Sequence, residues 1–250
     1  MNNSLLSHQI FLASTFTLVA VSPCQAADDK LFDFEANIYL TSDLVVRGIS
    51  FTNEEPSLNG GFKIKHQSGI YVETWASNVN LLETNTVKPD ERANLVIGWY
   101  LGYDGDVNDY LSYNIQVDYF SLPGAAKSLN YEYTEFLASL TYSIQDTDLG
   151  LLYGFSPNFF LDSDNAHYYE LNASHTFVDI NDLEIGGQIG RQTVSDNEAI
   201  GFDDYTTYGL WVSYPIGDFT GTLEYTNTDL DNADALNADG RVTFTLSHSF

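Results

Sequence analysis

The sequence predicts an all-β protein: a single transmembrane antiparallel β-barrel of about twelve strands, following a cleaved signal peptide. Three observations carry this expectation. Apolar and polar residues alternate with a period of two in about twelve segments, as strands with one apolar and one polar face require. The links between these segments alternate short and long. Aromatic residues gather near both ends of the apolar faces.

The leader comes first, over residues 1–26. Ile10 to Val21 is an apolar run too short to cross a bilayer, which needs about 20 residues. Ser22-Pro23-Cys24-Gln25-Ala26-Ala27 follows, and small residues after a short apolar core read as a secretory signal cut after Ala26 or Ala27. The leader lacks Lys and Arg, which departs from the usual pattern. Lipoprotein processing at Cys24 is disfavoured by Pro23, which stands where a small residue is needed. Cys24 is the only cysteine, so the exported chain, residues 27–250, has no disulfide, Cys metal ligand or Cys nucleophile.

The net charge of −26 arises wholly after position 27 and argues against a nucleic-acid partner, whose phosphates it repels. Acidic chains poor in aromatics stay disordered, but this one carries 17 Tyr and 16 Phe.

The first strand is Phe32 to Thr41, with Phe32, Phe34, Ala36, Ile38 and Leu40 alternating with polar residues and Tyr39. Phe62 and Ile64 alternate with Lys63 and Lys65 in the second, and Ile70, Val72 and Ala76 with Tyr71, Glu73 and Ser77 in the third. The fourth and fifth run through Leu95 to Tyr103 and Leu111 to Tyr119. Phe136 to Ile144, Leu149 to Phe155, Tyr169 to Phe177 and Leu183 to Ile189 continue the pattern. Tyr208 to Tyr214 and Phe219 to Tyr225 lead to the closing strand, Arg241 to Phe250. There Val242, Phe244, Leu246, His248 and Phe250 share one face and Arg241, Thr243, Thr245, Ser247 and Ser249 the other. Outside the leader no segment shows a 3.6-residue period.

Tight turns are expected at Ser68-Gly69, Gly105 to Asp109, Gln145 to Asp148, Val178 to Asp182 and Pro215 to Gly217. Longer links span roughly 42–57, 79–92, 121–131, 157–165, 193–203 and 228–239. An even strand number with short turns at one end and long loops at the other is the plan of an outer-membrane barrel. Tyr103, Tyr142, Phe177, Tyr214, Phe219 and Phe250 should mark the short-turn rim, and Tyr119, Phe155 and Tyr225 the long-loop rim. A soluble β-sandwich alternates too, but accounts for neither the loop rhythm nor the aromatic rims.

Strand parity turns Glu73, Asp118, Glu135, Glu170, Glu184 and Glu224 into the lumen, against Lys63, Lys65 and Arg241. These are the expected channel-lining residues. An excess of carboxylates in a narrow channel concentrates cations and repels anions; the alternative is that they pair with the bases or fill a plugged interior. Arg47, in the first long loop beside Gly48, either narrows the pore or anchors its loop by bidentate pairing to a carboxylate. Loop acids are densest at Asp229, Asp231, Asp234 and Asp239. They either hold divalent cations bridging to lipopolysaccharide phosphates or keep the loops solvated, and their spacing is not that of an EF-hand.

His66-Gln67-Ser68 bears comparison with barrel lipases, which use a His and a Ser two apart on the outer-leaflet side. Here the pair falls at a short turn, and no oriented nucleophile–base–acid set emerges. No catalytic residue, metal ligand or cofactor is expected.

Several segments resemble a known family. They include Arg47-Gly48-Ile49-Ser50, Trp75-Ala76-Ser77-Asn78-Val79, Asp118-Tyr119-Phe120, Leu122-Pro123-Gly124, Ser156-Pro157-Asn158-Phe159-Phe160 and Asp239-Gly240-Arg241-Val242. Across nearly the whole mature chain these resemble the TorF family of bacterial outer-membrane porins. The resemblance implies an outer-membrane barrel and little about its solute. Asn158 stands where Asp is common, so a cation site in that loop would be weaker. The closing strand with its terminal Phe250 also resembles outer-membrane barrels generally, which implies recognition by the outer-membrane assembly machinery. The expected partners are therefore that machinery, outer-membrane lipid and lipopolysaccharide, and small-molecule solutes. The function expected is passive diffusion of small cationic or neutral solutes; the alternative is a non-conducting structural or surface-binding barrel with acidic loops.

Overall fold

Alternation of side chains between two different surroundings builds the wall. In the computed structural model, which describes residues 31–81 and 87–250, twelve antiparallel strands close on themselves. The expected signal peptide and its cleavage point lie outside the described residues. In chain order the strands are β1 (Phe32–Thr41), the loop strands β2 (Val45–Val46) and β3 (Ile49–Ser50), β4 (Ser57–His66), β5 (Ile70–Asn78) and β6 (Leu95–Asn108). Then follow β7 (Leu111–Ser121), β8 (Tyr133–Ile144), β9 (Thr147–Ser156), β10 (Ala166–Phe177), β11 (Leu183–Val194), β12 (Tyr205–Ile216), β13 (Phe219–Thr228) and β14 (Arg241–Ser249). Each barrel strand pairs with its sequence neighbours, and β14 closes on β1 with Ile38 opposite His248 and Leu40 opposite Leu246. The Phe250 amide donates to the Ala36 carbonyl at 2.8 Å, so the last residue completes the seam.

The outward face is apolar: Phe34, Leu58, Leu101, Leu171, Leu210 and Val242 all point away from the lumen and stay exposed. In water such a continuous belt would drive aggregation; on a barrel it is the surface a bilayer covers. Exposed Tyr142, Tyr214, Phe219 and Phe250 lie toward the short-turn end, and Tyr119 and Tyr225 toward the long-loop end. Leu210, 65% exposed midway along β12, gives a direct check. Leu210→Arg should cost about 2–4 kcal/mol, as a basic group at the bilayer midplane does. Urea unfolding of the barrel in lipid vesicles measures it.

Two strands run beyond what alternation shows. β4 begins at Ser57, where Leu58 faces outward and Asn59 is buried inward, five residues before the alternation that starts at Phe62. β6 continues to Asn108 through the expected turn, with a bulge between Asp106 and Asn108. Gly105 fits a strand here because the Tyr113 ring lies where its Cβ would be. The turn itself shrinks to Asp109-Tyr110, held by Asn108 Oδ1 accepting from the amides of Tyr110 and Leu111.

Six long loops sit at the other end, over 42–56, 79–94, 122–132, 157–165, 195–204 and 229–240. The fifth contains a helical turn, α1 (Asn197–Ile200), capped by Asp196 accepting from the Ala199 amide at 2.9 Å. One turn is too short to register as a 3.6-residue period. The first four loops contribute to an apolar cluster around Leu44, Trp75, Val79, Val96, Phe120, Leu122 and Tyr131.

Candidate functional site

The first long loop enters the barrel. Its β2–β3 hairpin turns on Arg47 (φ +50°) and Gly48 (φ +84°), both in the left-handed region, as a two-residue type I′ turn requires. The tip then reaches across the lumen. Arg47 Nη2 donates to Glu135 Oε2 on β8 at 2.7 Å, and Nη1 to Gln192 Oε1 on β11 at 2.9 Å. The guanidinium also stacks 4.1 Å above the Tyr168 ring on β10. In the ring of strands β9 lies six places from β1, so Arg47 grips the wall opposite its own root. The fork is split between two partners rather than spent on one carboxylate. Burial opposes the charge on Arg47, but the Glu135 carboxylate it binds, together with Tyr133 and Tyr168, raises the pKa above the ordinary guanidinium value.

The root of the loop is equally fixed. Asp43 Oδ1 accepts from Thr52 Oγ1 at 2.7 Å, and Asp43 Oδ2 from Arg241 Nη1 at 3.0 Å. Arg241 also pairs with Asp239 at 2.6 Å and Glu54 at 3.4 Å, which ties the closing strand to the first and sixth loops. The Ser50 amide donates to the Asn237 carbonyl, and the Asn80 amide to that of Phe51. The hairpin is a strut, clamped at both ends. Gly48 is its tightest point, since a Cβ there would lie 2.5 Å from Thr228 Cγ2 and 2.7 Å from Thr207 Oγ1. Gly48→Val should therefore dislodge the tip; faster proteolysis within 42–56 on intact cells, with the barrel still folded, would show it.

Beneath the strut a polar chain runs along the wall. Lys65 Nζ lies 2.8 Å and Lys63 Nζ 3.5 Å from Asp104 Oδ2. Asn114 Nδ2 donates to Asp104 Oδ1 and to Tyr71 Oη, and Tyr71 donates to Gln116 Oε1 at 2.6 Å. Gln116 Nε2 donates to Asp118 Oδ1 at 2.8 Å, and Asp118 stands opposite Glu135 in the β7–β8 register. On the far wall Glu170 accepts from Tyr168 Oη at 2.6 Å and from Asn172 at 3.3 Å, while Trp211 Nε1 donates to Glu184 Oε1 at 2.8 Å. Glu224 faces inward between Trp211 and Thr243 of the adjacent strands. Tyr71 and Tyr168 lie back against the wall, because a Cβ on Gly102 or Gly190 would fall 2.3 Å from their rings or hydroxyls. Those glycines keep two large side chains out of the lumen.

The structure places Lys63, Lys65, Glu73, Asp118, Glu135, Glu170, Glu184, Glu224 and Arg241 on the buried to half-buried faces of their strands, and Arg47 spans between the walls. Asp104, Gln116 and Gln192 join the network without a sequence signal that marks them as site residues. Asp104 shares the parity of Gly102, but its Gly-Asp surroundings read as a turn. Gln116 and Gln192 are neutral, and nothing local marks them as partners for residues so far away in the chain.

Elsewhere, Ser68 Oγ lies 2.8 Å from His66 Nδ1 in an exposed short turn. Among the described residues no carboxylate hydrogen-bonds that His, so the pair lacks the orienting acid of a hydrolytic triad. In the sixth loop Asp239 is held by Arg241, and Asp229 lies 3.8 Å from Arg191. Among the described residues no three His, Cys, Asp or Glu side chains gather as a metal site.

Solved structures share this architecture. The KdgM porin superposes with a TM-score of 0.59 at 10% identity, covering 86% of this chain and 99% of its own. The NanC porin gives 0.53 at 12% identity, covering 87% and 99%. An outer-membrane channel from Pseudomonas putida F1 gives 0.53 at 9% identity, covering 92% and 100%. At these identities the likeness is one of fold: a closed twelve-stranded barrel of the outer-membrane porin type. No curated protein matches the chain in sequence. A family model does match, over residues 25–250, and the chain belongs to that family, described as a bacterial protein of unknown function (Gcw_chp).

Proposed function

We propose that the chain is a porin-like channel of the bacterial outer membrane, of the kind gathered in the TorF family, passing small cationic or neutral solutes by diffusion. Both termini would lie in the periplasm and the long loops outside. The similarity to porin folds supports a channel, and one observation carries the cation preference. The basic lumen groups are engaged by carboxylates: Lys63 and Lys65 by Asp104, Arg47 by Glu135, Arg241 by Asp43, Glu54 and Asp239. Asp118 and Glu170 instead accept from neutral donors, and Glu73 and Glu224 add further acid. The lumen charge left over is negative, which favours cations in a confined low-dielectric space.

In this reading Lys63, Lys65, Glu73, Asp118, Glu135, Glu170, Glu184, Glu224 and Arg241 line the path and Arg47 narrows it. The strand ending in Phe250 would be read by the assembly machinery, and the acidic loops would face lipopolysaccharide. The barrel would act as a channel rather than an enzyme. A non-conducting envelope barrel is the second reading, favoured by the strut that crosses the lumen. Swelling of proteoliposomes in a small neutral sugar separates the two: swelling supports the channel, and none at any protein load supports the second reading.

A further inference from the structure

The six loops and the upper walls enclose a cavity of about 280 Å³, toward the small end of ligand pockets. Its outer part is lined by rings, among them Trp75, Tyr100, Phe120, Tyr133, Phe160 and Tyr205. Its floor contains Glu35, Glu73, Lys63 and Arg47. We infer that this cavity is a subsite for a small organic monocation with an apolar body, such as an arylalkyl ammonium ion. The inference names a solute class for the proposed channel and rests on that reading for the route of entry.

Charge selects the sign. Among the described residues Glu35 and Glu73 accept no side-chain hydrogen bond and form no ion pair within 4.0 Å. In register Lys63 lies between them, opposite Glu35 on β1 and Glu73 on β5, yet its ammonium turns to Asp104 and to the face of the Tyr71 ring at 3.9 Å. Arg47 is likewise committed to Glu135. Glu35, Glu73 and Asp104 against Lys63 and Lys65 make three carboxylates against two ammonium groups, a formal excess of one negative charge. One cation neutralises the floor; an anion would compound the excess.

The walls select the body. Tyr100 is opposite Glu73 across the β5–β6 pair, and Trp75 follows two residues along the same face. A cation held by Glu73 would lie beneath aromatic faces that favour positive charge and bury hydrocarbon. A hydrated metal ion uses none of that apolar wall, and a neutral aromatic leaves the carboxylates unneutralised.

The test is calorimetric titration of the full barrel in detergent with 2-phenylethylammonium, phenylacetate and ethylammonium. The aromatic cation should bind about tenfold or more tighter than the other two, the worth of one charge-assisted contact. The combined variant E35Q/E73Q should lose about tenfold in affinity for it while retaining the heat-dependent gel shift of a folded barrel. Equal or tighter binding of phenylacetate overturns the inference, as does unchanged affinity in a folded variant. Should the variant fail to fold, the ranking of the three ligands on the unaltered protein decides alone. Binding without conductance in bilayers keeps the subsite and removes the channel; conductance with no binding keeps the channel and removes the subsite.

Discussion

Arg47→Ala is expected to destabilise the barrel and widen its path at once. The substitution removes the 2.7 Å contact to Glu135, whose carboxylate is nearly inaccessible, and leaves that charge beside Asp118 with no cation against it. Breaking a buried pair from one side costs about 3–5 kcal/mol, far more than an exposed pair is worth. The hairpin tip also loses its hold on β8, β10 and β11, so single-channel conductance should rise and cation preference with it. Arg47→Lys should restore little, because one ammonium cannot reach Glu135 and Gln192 together while stacking on Tyr168. Urea midpoints in vesicles and conductance in planar bilayers check both halves. An unchanged conductance would mean that the strut does not obstruct the path.

The second large effect is expected from the acids that keep neutral partners. Asp118→Asn with Glu170→Gln retains carbonyl oxygens able to accept from Gln116 and Tyr168, so the walls should keep their shape while losing two charges. The cation-to-anion permeability ratio should fall on the order of tenfold, the scale at which lumen charge sets local ion concentration. Glu135 is the wrong residue for this purpose, since neutralising it also releases Arg47. Reversal potentials under a salt gradient measure the change; identical values would show that these carboxylates do not border the ion path.

The barrel itself was legible because each strand faces two unlike surroundings, and alternation such as Phe34–Glu35 or Val242–Thr243 records which side is which. Alternation fails where packing replaces it. Gly105 reads as a turn until the Tyr113 ring is placed over it, and with that turn misplaced Asp104, the anchor of both lumen lysines, drops out of view. Arg47 was legible as a rare base beside a glycine, but its partners are 88 and 145 residues away and carry no local signal. The aromatic cavity was the least legible part. It is assembled from loop residues such as Phe160 and Phe202 together with upper strand residues such as Trp75, and only the fold brings them together.

The central claim, a channel whose uncommitted lumen charge is negative, reduces to one measurement: the zero-current potential of the unaltered protein in a planar bilayer separating two potassium chloride concentrations. The account predicts measurable conductance and a potential of the sign set by potassium crossing in excess of chloride. A potential of the opposite sign, or no conductance at any applied voltage, would contradict it.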